Sequence, residues 1–408
     1  MKILVAGAKG FVGKNLVETL KTIRDGKKKD THLFIESIYE YDKENTAEEL
    51  ETFCNDCDFV FNLAGVNRPK DVSEFQSGNF GFAETLLKTL KKNNNTCPVM
   101  FSSSIQASLI GQYANSAYGK SKKAGEELFF QYAAWTGAKV LVYRFPNLFG
   151  KWCKPNYNSV VATFCNAVAN DLPYTVNDRG TQLELLYIDD LVDEMLNALK
   201  NFEHHCDYNG LDPVPSEYGC YCYTPITYKV TLGRIADLLE SFKKQKETLL
   251  FDSIPTGSFE KKLYSAYLSY LSEENAIFNL NISNDNRGLF AEFFKTQTNG
   301  QFSINITKPG MKKGEHWHHT KIEIFLVVSG HGLIQERRVG VDDNGHTYPI
   351  REYHVSGDRL QCVYILPGYT HNIINLSKSE DLITVMWANE LFDNIHPETY
   401  HENVVMDF

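Results

Sequence analysis

The chain has 408 residues, a net charge of −10 and nine cysteines; 43% of its residues are hydrophobic and 23% charged. That length predicts two domains, and the composition is that of a globular chain. The acidic balance, with a pI near 5.7, leaves no electrostatic footprint for nucleic acid. No apolar run approaches the roughly 18 residues of a membrane-spanning helix, so no membrane partner is expected. The apolar run of MKILVAG, Ile3 to Ala6, leads straight into a glycine loop and reads as a buried first strand, not a leader peptide.

Up to about residue 200, KILVAG, HLFIESI, DFVFNLAG, CPVMFSSS and KVLVYRFP carry the continuous apolar runs of strands buried on both faces. Helical stretches alternate with them: FVGKNLVETLKTI, NFGFAETLLKTLKKN and YGKSKKAGEELFFQYAAW. This alternation predicts an α/β doubly wound parallel sheet of Rossmann type. The KKK run at Lys27 to Lys29 reads as a solvated loop. From about 228 to 275 the pattern is helical, and after Ile277 it turns to short alternating strands punctuated by Gly, Pro and Asn, which predicts an all-β barrel or sandwich. The expected division is residues 1–245 for the first domain, 246–279 for a helical connection and 280–408 for the second domain. The cysteines are scattered, with Cys54/Cys57 and Cys220/Cys222 the only close pairs, so they read as free thiols of a reducing cytosol.

Two constellations carry chemistry. In the first, Gly7, Gly10 and Gly13 form G-x-x-G-x-x-G between a strand and a helix, where the backbone can approach a pyrophosphate. Tyr118 and Lys122, in YGKSK, are four apart and share one helix face. An ammonium near a phenol lowers its pKa, and such a tyrosine can protonate an alkoxide as hydride reaches a carbonyl. Ser104, at a strand end fourteen residues before Tyr118, can hydrogen-bond the same oxygen.

These pieces, with NLAGVN, YRFPNLFG and YIDD, resemble the extended short-chain dehydrogenase/reductase family, in its nucleotide-sugar branch, over roughly the first 240 residues. The resemblance implies catalytic roles for Ser104, Tyr118 and Lys122. It implies cofactor contacts at the glycine loop (Gly7, Gly10, Phe11, Gly13), at Ala64, Gly65 and Pro146, and at Tyr118 and Lys122 themselves. A basic residue at the place of Lys9 meets the 2′-phosphate in NADP-dependent relatives, so NADPH is the expected cofactor; Glu36 stands as the alternative reading, an acid that would select NAD. Relatives carry an arginine for the nucleotide-sugar diphosphate four residues before the tyrosine of YIDD, where this chain has Leu183. Arg179 is the nearest substitute, and Lys151 and Lys154 are further candidates.

The second constellation is GEHWHHTKIEIFLVVSG. Gly310, His316, His318, Glu323 and Gly330 fit G-x5-H-x-H-x4-E-x6-G, and His371 follows in PGYTHNIIN. Three imidazoles and a carboxylate suit a divalent metal, zinc foremost. The pattern resembles the cupin family over roughly residues 280–408. NDNRGLFAEFFK further resembles the first strand of cupins that epimerise deoxysugar nucleotides, which implies Arg287 and Glu292 in the substrate cleft. In those epimerases the first histidine is a base; here the complete set favours His316 as a ligand, leaving His319, His331 and Tyr364 as candidate bases.

The pairing of the two domains resembles bifunctional enzymes of bacterial capsule synthesis. That implies a homodimer acting on UDP-2-acetamido-2,6-dideoxy-β-L-arabino-4-hexulose, epimerised at C3 and then reduced at C4 to the L-talose product, on the way to UDP-N-acetyl-L-fucosamine. The alternative is a reductase whose second domain is only a metal-stabilised binding or dimerisation module.

Overall fold

A computed structural model describes residues 1–28, 32–66, 80–208, 218–251, 254–393 and 395–406. Asn67, the last residue of NLAGVN, and Lys29 of the lysine run lie outside the described residues. The chain divides into two compact units, Met1–Leu239 with Gly257–Ser272, and Glu240–Thr256 with Glu273–Phe408. The division falls inside the helix Leu232–Thr248, and the stretch expected as a connection is shared between the units: 257–272 belongs to the first, 246–256 and 273–279 to the second.

The first unit carries β1 (Lys2–Ala6), β2 (Ser37–Tyr41), β3 (Phe59–Asn62), β4 (Val99–Ser104), β5 (Val140–Phe145), β6 (Asn147–Phe149), β7 (Gln182–Tyr187), β8 (His205–Cys206), β9 (Gly219–Cys222) and β10 (Tyr228–Thr231). Seven of them form one sheet in the order β2-β1-β3-β4-β5-β9-β8, parallel except for β8 at its edge; β10-β7-β6 form a smaller sheet. Every residue of β3, β4 and β5 is buried, as expected of strands covered on both faces. The chain leaves β1 toward β2 on one side and β3 on the other. The carboxyl ends of β1, β3 and β4 therefore frame the crevice where open α/β sheets hold their ligands.

One strand differs from the sequence reading. HLFIESI was expected to be buried, but β2 begins only at Ser37, and Phe34 is 81% exposed. This is an edge strand, paired to β1 alone, so it needs no continuous apolar run. Its apolar contribution comes from the alternating Tyr39 and Tyr41, the first stacked on Phe53 and the second on Phe82.

The second unit is an antiparallel all-β domain. Its strands are β11 (Ile282–Asp285), β12 (Gly288–Thr296), β13 (Gly300–Thr307), β14 (Lys312–Trp317), β15 (Glu323–Ser329), β16 (His331–Arg338), β17 (Ile350–Ser356), β18 (Cys362–Ile365), β19 (Tyr369–Asn375), β20 (Leu382–Ala388) and β21 (Tyr400–His401). They form two sheets, β11-β12-β13-β20-β15-β18 and β17-β16-β19-β14-β21. Phe325, Val327, Ile334, Val355, Ile365, Ile373 and Leu382 make its apolar core. Among the described residues no helix is long and apolar enough to cross a membrane, and all nine cysteines are unbridged.

Candidate functional site

In the first unit the loop after β1 is set by two glycines. A Cβ on Gly7, which turns at φ +85°, would lie 2.7 Å from the Ala64 backbone nitrogen, and one on Gly13 would lie 2.1 Å from the Gly7 carbonyl oxygen. The helix α1 (Phe11–Arg24) then starts with no side-chain cap and no acid in its first turn. Its positive end is thereby left for an anion such as a pyrophosphate.

This loop opens on a cleft of about 500 Å³ whose walls include Gly7, Lys9, Gly10, Phe11, Gly13, Gly65, Ser104, Tyr118, Lys122, Pro146 and Lys154. Ala64 supports the wall from behind through its contact with Gly7. Sequence reasoning missed Gln106, Trp152 and Tyr157 on the same walls. The last two sit in the KWCKPNYNS stretch, which was read only for its lysines.

Tyr118 stands in the first turn of the helix Ala117–Thr136, whose N-cap Ser116 accepts from the Gly119 N–H at 2.9 Å. One turn on, the buried Lys122 donates from Nζ to the Ser102 carbonyl oxygen at 2.7 Å, with Nζ 5.9 Å from the centre of the Tyr118 ring. Ser104 ends β4, and its Oγ accepts from the Gln106 N–H at 3.3 Å. The expected lowering of the tyrosine by the lysine is not what this geometry gives. Burial pushes the Tyr118 phenol up, and burial, partly offset by the Glu126 carboxylate, pushes Lys122 down to about 8.

Beneath the helix lies a buried network that the sequence did not disclose. Glu126, fully buried, accepts two bonds from Arg144, Nε at 2.8 Å and Nη2 at 2.6 Å, and further bonds from Ser103 Oγ at 2.5 Å and Tyr221 Oη at 3.0 Å. This ties the helix bearing Tyr118 and Lys122 to β4, β5 and β9. Truncating Arg144 to alanine would leave a buried carboxylate without its guanidinium. A loss of about 3–5 kcal/mol in unfolding free energy is expected, measurable by denaturant titration.

Around the cleft, other sequence candidates are placed differently. Lys9 is exposed, its Nζ pairs with Glu44 at 2.9 Å, and its backbone N–H donates to Asp42 Oδ2 at 2.9 Å. Asp42 follows directly on β2. Glu36 precedes β2, at the opposite end of the strand; its N–H donates to the Met1 carbonyl and its carboxylate lies 3.7 Å from Lys2. It therefore cannot serve as the acid at the strand's carboxyl end. Arg179 is exposed and holds Asp237 at 2.6 Å, away from the cleft walls, and Lys151 pairs with Asp189 at 2.5 Å. Of the three diphosphate candidates Arg179, Lys151 and Lys154, only Lys154 lines the cleft, with Nζ 5.7 Å from the Tyr157 ring centre.

In the second unit the predicted donors meet. His316 lies opposite His371 where β14 pairs β19, and a bulge with Glu315 at φ +66° precedes it. His318 falls one residue past the end of β14, and Glu323 opens β15. Donor atoms of all four residues lie within 4.8 Å of one another. Glu323 Oε2 is 3.3 Å from His318 Nε2 and 3.6 Å from His371 Nε2. His318 Nε2 and both ring nitrogens of His371 are buried without a protein hydrogen-bond partner, which is costly unless another group meets them.

The protonation states suit a cation. Burial and the neighbouring His316 press His371 down to about 3, and burial also lowers His316. Burial alone would raise Glu323, but the adjacent His318 and the Lys321 ammonium hold its carboxyl well below the usual range. His316 and His371 are thus neutral imidazoles beside an ionised carboxylate, the form that ligates a metal. The His318 Nδ1 side is fixed by the Glu398 carbonyl oxygen, the outer-shell contact usual for a ligating histidine.

Arg287 and Glu292 are engaged locally, Arg287 with Asp285 at 2.6 Å and Glu292 with Lys295 at 2.5 Å. Of the other candidates, His319 packs on Trp317 and Tyr400, His331 lies 3.7 Å from Asp358, and Tyr364 is largely exposed.

Comparison with known proteins agrees with this division. Residues 3–209 match the NAD dependent epimerase/dehydratase family, and residues 283–400 match the polysaccharide biosynthesis C-terminal domain. A UDP-2-acetamido-2,6-beta-L-arabino-hexul-4-ose reductase of Pseudomonas aeruginosa is 34% identical over 400 residues, 98% of each chain. The crystal structure of the capsular polysaccharide assembling protein CapF from Staphylococcus aureus is 44% identical, with a TM-score of 0.82 over 99% of this chain and 100% of that one. CapF with the inhibitor 3-isopropenyl-tropolone is 41% identical, with a TM-score of 0.79 over the same shares. The likeness to these relatives runs from end to end of the chain, and the chain belongs to the NAD dependent epimerase/dehydratase family, among its CapF-type capsular polysaccharide proteins.

Proposed function

We propose that the chain is a bifunctional UDP-sugar enzyme that epimerises C3 of UDP-2-acetamido-2,6-dideoxy-β-L-arabino-4-hexulose in its second unit and reduces C4 in its first. The product is the corresponding L-talose nucleotide, a precursor of UDP-N-acetyl-L-fucosamine for capsular polysaccharide. The observation that carries the reading is the meeting of Ser104, Tyr118 and Lys122 with the glycine loop in one cleft. Its support from relatives is the reductase of Pseudomonas aeruginosa, whose name specifies such a ketosugar.

The residues divide the reduction among themselves. Gly7, Gly10, Gly13, Gly65 and Pro146 would hold a reduced nicotinamide dinucleotide, which would supply the hydride for the C4 carbonyl. Ser104 Oγ and the Tyr118 hydroxyl hold the ketone oxygen, and Tyr118 gives it a proton. Lys122 must be charged to stabilise the phenolate left behind, so reduction is expected to decline above about pH 8, where the lysine loses its proton. The pH profile of kcat/KM checks this.

In the second unit the four donors fit a divalent metal, zinc by their chemistry, which supplies Lewis acidity for the ketone oxygen. His316, His318, Glu323 and His371 would hold it; a base, for which His319, His331 and Tyr364 are the candidates, takes the C3 proton to leave the enolate, and a proton from water returns to C3 on the opposite face. The fold there is read as a cupin, and the assembly as a homodimer. Epimerisation comes first, because C3–H is acidic only while C4 is a ketone.

A second reading of the dinucleotide is favoured by one observation. NADPH was expected from Lys9, but the Lys9 ammonium is paired with Glu44. Asp42 stands at the end of β2, where an acid meets the ribose 2′-hydroxyl of NADH and repels a 2′-phosphate. Asp42→Asn is expected to shift preference toward NADPH by about tenfold, the effect of roughly 1.4 kcal/mol. Dissociation constants for both reduced cofactors, from their fluorescence on binding, check it.

The experiment for the whole reading is incubation of the UDP-ketosugar with enzyme and reduced dinucleotide. The expected result is stoichiometric cofactor oxidation with formation of the L-talose nucleotide. A 4-hydroxy product of unchanged C3 configuration would leave the second unit as a binding or dimerisation module.

A further inference from the structure

A second group of metal-type donors lies in the first unit, at the free edge of its large sheet. The sequence showed Cys220 and Cys222 as a close pair without a partner pair. The fold supplies a partner of another kind. β8 runs antiparallel to β9, with His205 directly opposite Cys222. Cys220 and Cys222 are two apart on β9 and so share one face of the strand. A ring nitrogen of His205 and both sulfurs lie within 4.8 Å of one another.

The spacing has chemical meaning. The two sulfurs are 3.8 Å apart. Two thiolates bound tetrahedrally to one ion with arms of about 2.3 Å would stand about 3.8 Å apart. Behind His205 stands Glu203, with Oε1 3.0 Å from His205 Nε2. The Glu203 side chain is 3% exposed, and its other oxygen, Oε2, is buried without a hydrogen-bond partner. Lys139 pairs with the same carboxylate. A buried carboxylate beside a histidine is the usual outer support of a metal-ligating imidazole.

We propose that His205, Cys220 and Cys222, supported by Glu203, form a second metal site for a soft divalent cation of the zinc class. Three protein donors leave a fourth position for water. The site would be structural. Among the described residues β8 spans two positions and pairs with β9 alone, so an ion bridging His205 to both cysteines would clip this edge strand in place. The site lies at the sheet's far side from β1 and is separate in composition from the four-donor cluster of the second unit, which contains no sulfur.

That difference makes the test selective. The reduced full-length chain, stripped with a chelator, is titrated with cobalt(II). The expected result is a near-ultraviolet thiolate-to-cobalt charge-transfer absorption, which the His316, His318, Glu323 and His371 set cannot produce. The absorption should vanish in Cys220→Ser and persist in His318→Ala. His205→Ala, an exposed position, should weaken cobalt binding at this site more than ~10-fold and lower the temperature of unfolding only in the metal-loaded protein. Should a Cys220 variant fail to fold, the His205 variant carries the test. Absence of the absorption in folded wild-type protein, or its survival in the folded Cys220 or His205 variant, overturns the proposal. So does a Cys220–Cys222 disulfide, read by mass, in a chain that takes up no cobalt after reduction.

Discussion

Replacing Tyr118 by phenylalanine is expected to slow ketone reduction by about 10²–10⁴-fold while leaving C3 proton exchange intact. The substitution removes one hydroxyl from a half-buried ring on the cleft wall, so the cleft keeps its shape and the dinucleotide its glycine loop. What is lost is the proton donor 5.9 Å, ring centre to ammonium, from Lys122. Both activities are read in one sample: cofactor oxidation reports reduction, and deuterium uptake at C3 reports exchange. If the two fall together, the division of labour between the units is wrong. If neither falls, Tyr118 is not the donor.

The second large effect is expected from His318→Ala. This side chain is 2% exposed and closes the donor set toward Glu323 at 3.3 Å. Its loss should weaken metal binding more than ~100-fold, since even outer-shell partners are worth ~10–100-fold. C3 exchange should fall with the metal, while dinucleotide binding in the first unit is unchanged. Metal content by elemental analysis and dinucleotide affinity by fluorescence separate a local loss from general unfolding. Normal metal content in the folded variant would remove His318 from the ligand set.

Features written in local sequence were the ones legible beforehand. The glycine loop and Y-x-x-x-K each place their side chains through a single turn or helix, so spacing suffices, and the His-x-His-x4-Glu run spans only the short turn from β14 to β15. Continuous apolar runs likewise located β3, β4 and β5, because those strands are buried on both faces. Legibility failed where a neighbour from elsewhere in the chain decides. HLFIESI misplaced β2 because an edge strand lacks the interior pattern. That error moved the strand's carboxyl end from Glu36 to Asp42. Arg179 was chosen for charge and proximity, but its guanidinium is taken by Asp237, 58 residues on. Glu126 carries no local signal, since only the sheet brings Arg144, Ser103 and Tyr221 to it. His205 could meet Cys220 and Cys222 only through the β8–β9 pairing, which no local motif announces.

Raising Tyr118 by burial was likewise invisible to spacing. Four-residue separation puts the lysine on the same helix face, yet the Ser102 carbonyl holds its ammonium. The sequence pattern names the participants in proton transfer, and the packing around them sets the ground-state pKa values from which they start.

The most direct measurement of the central claim is proton NMR of the UDP-4-ketosugar incubated with the full chain in deuterated water, without and then with reduced dinucleotide. Deuterium should enter C3 before any dinucleotide is added. Adding it should convert the ketone to the C4 alcohol with C3 inverted. A ketosugar that keeps its C3 proton and its carbonyl under both conditions would contradict the account.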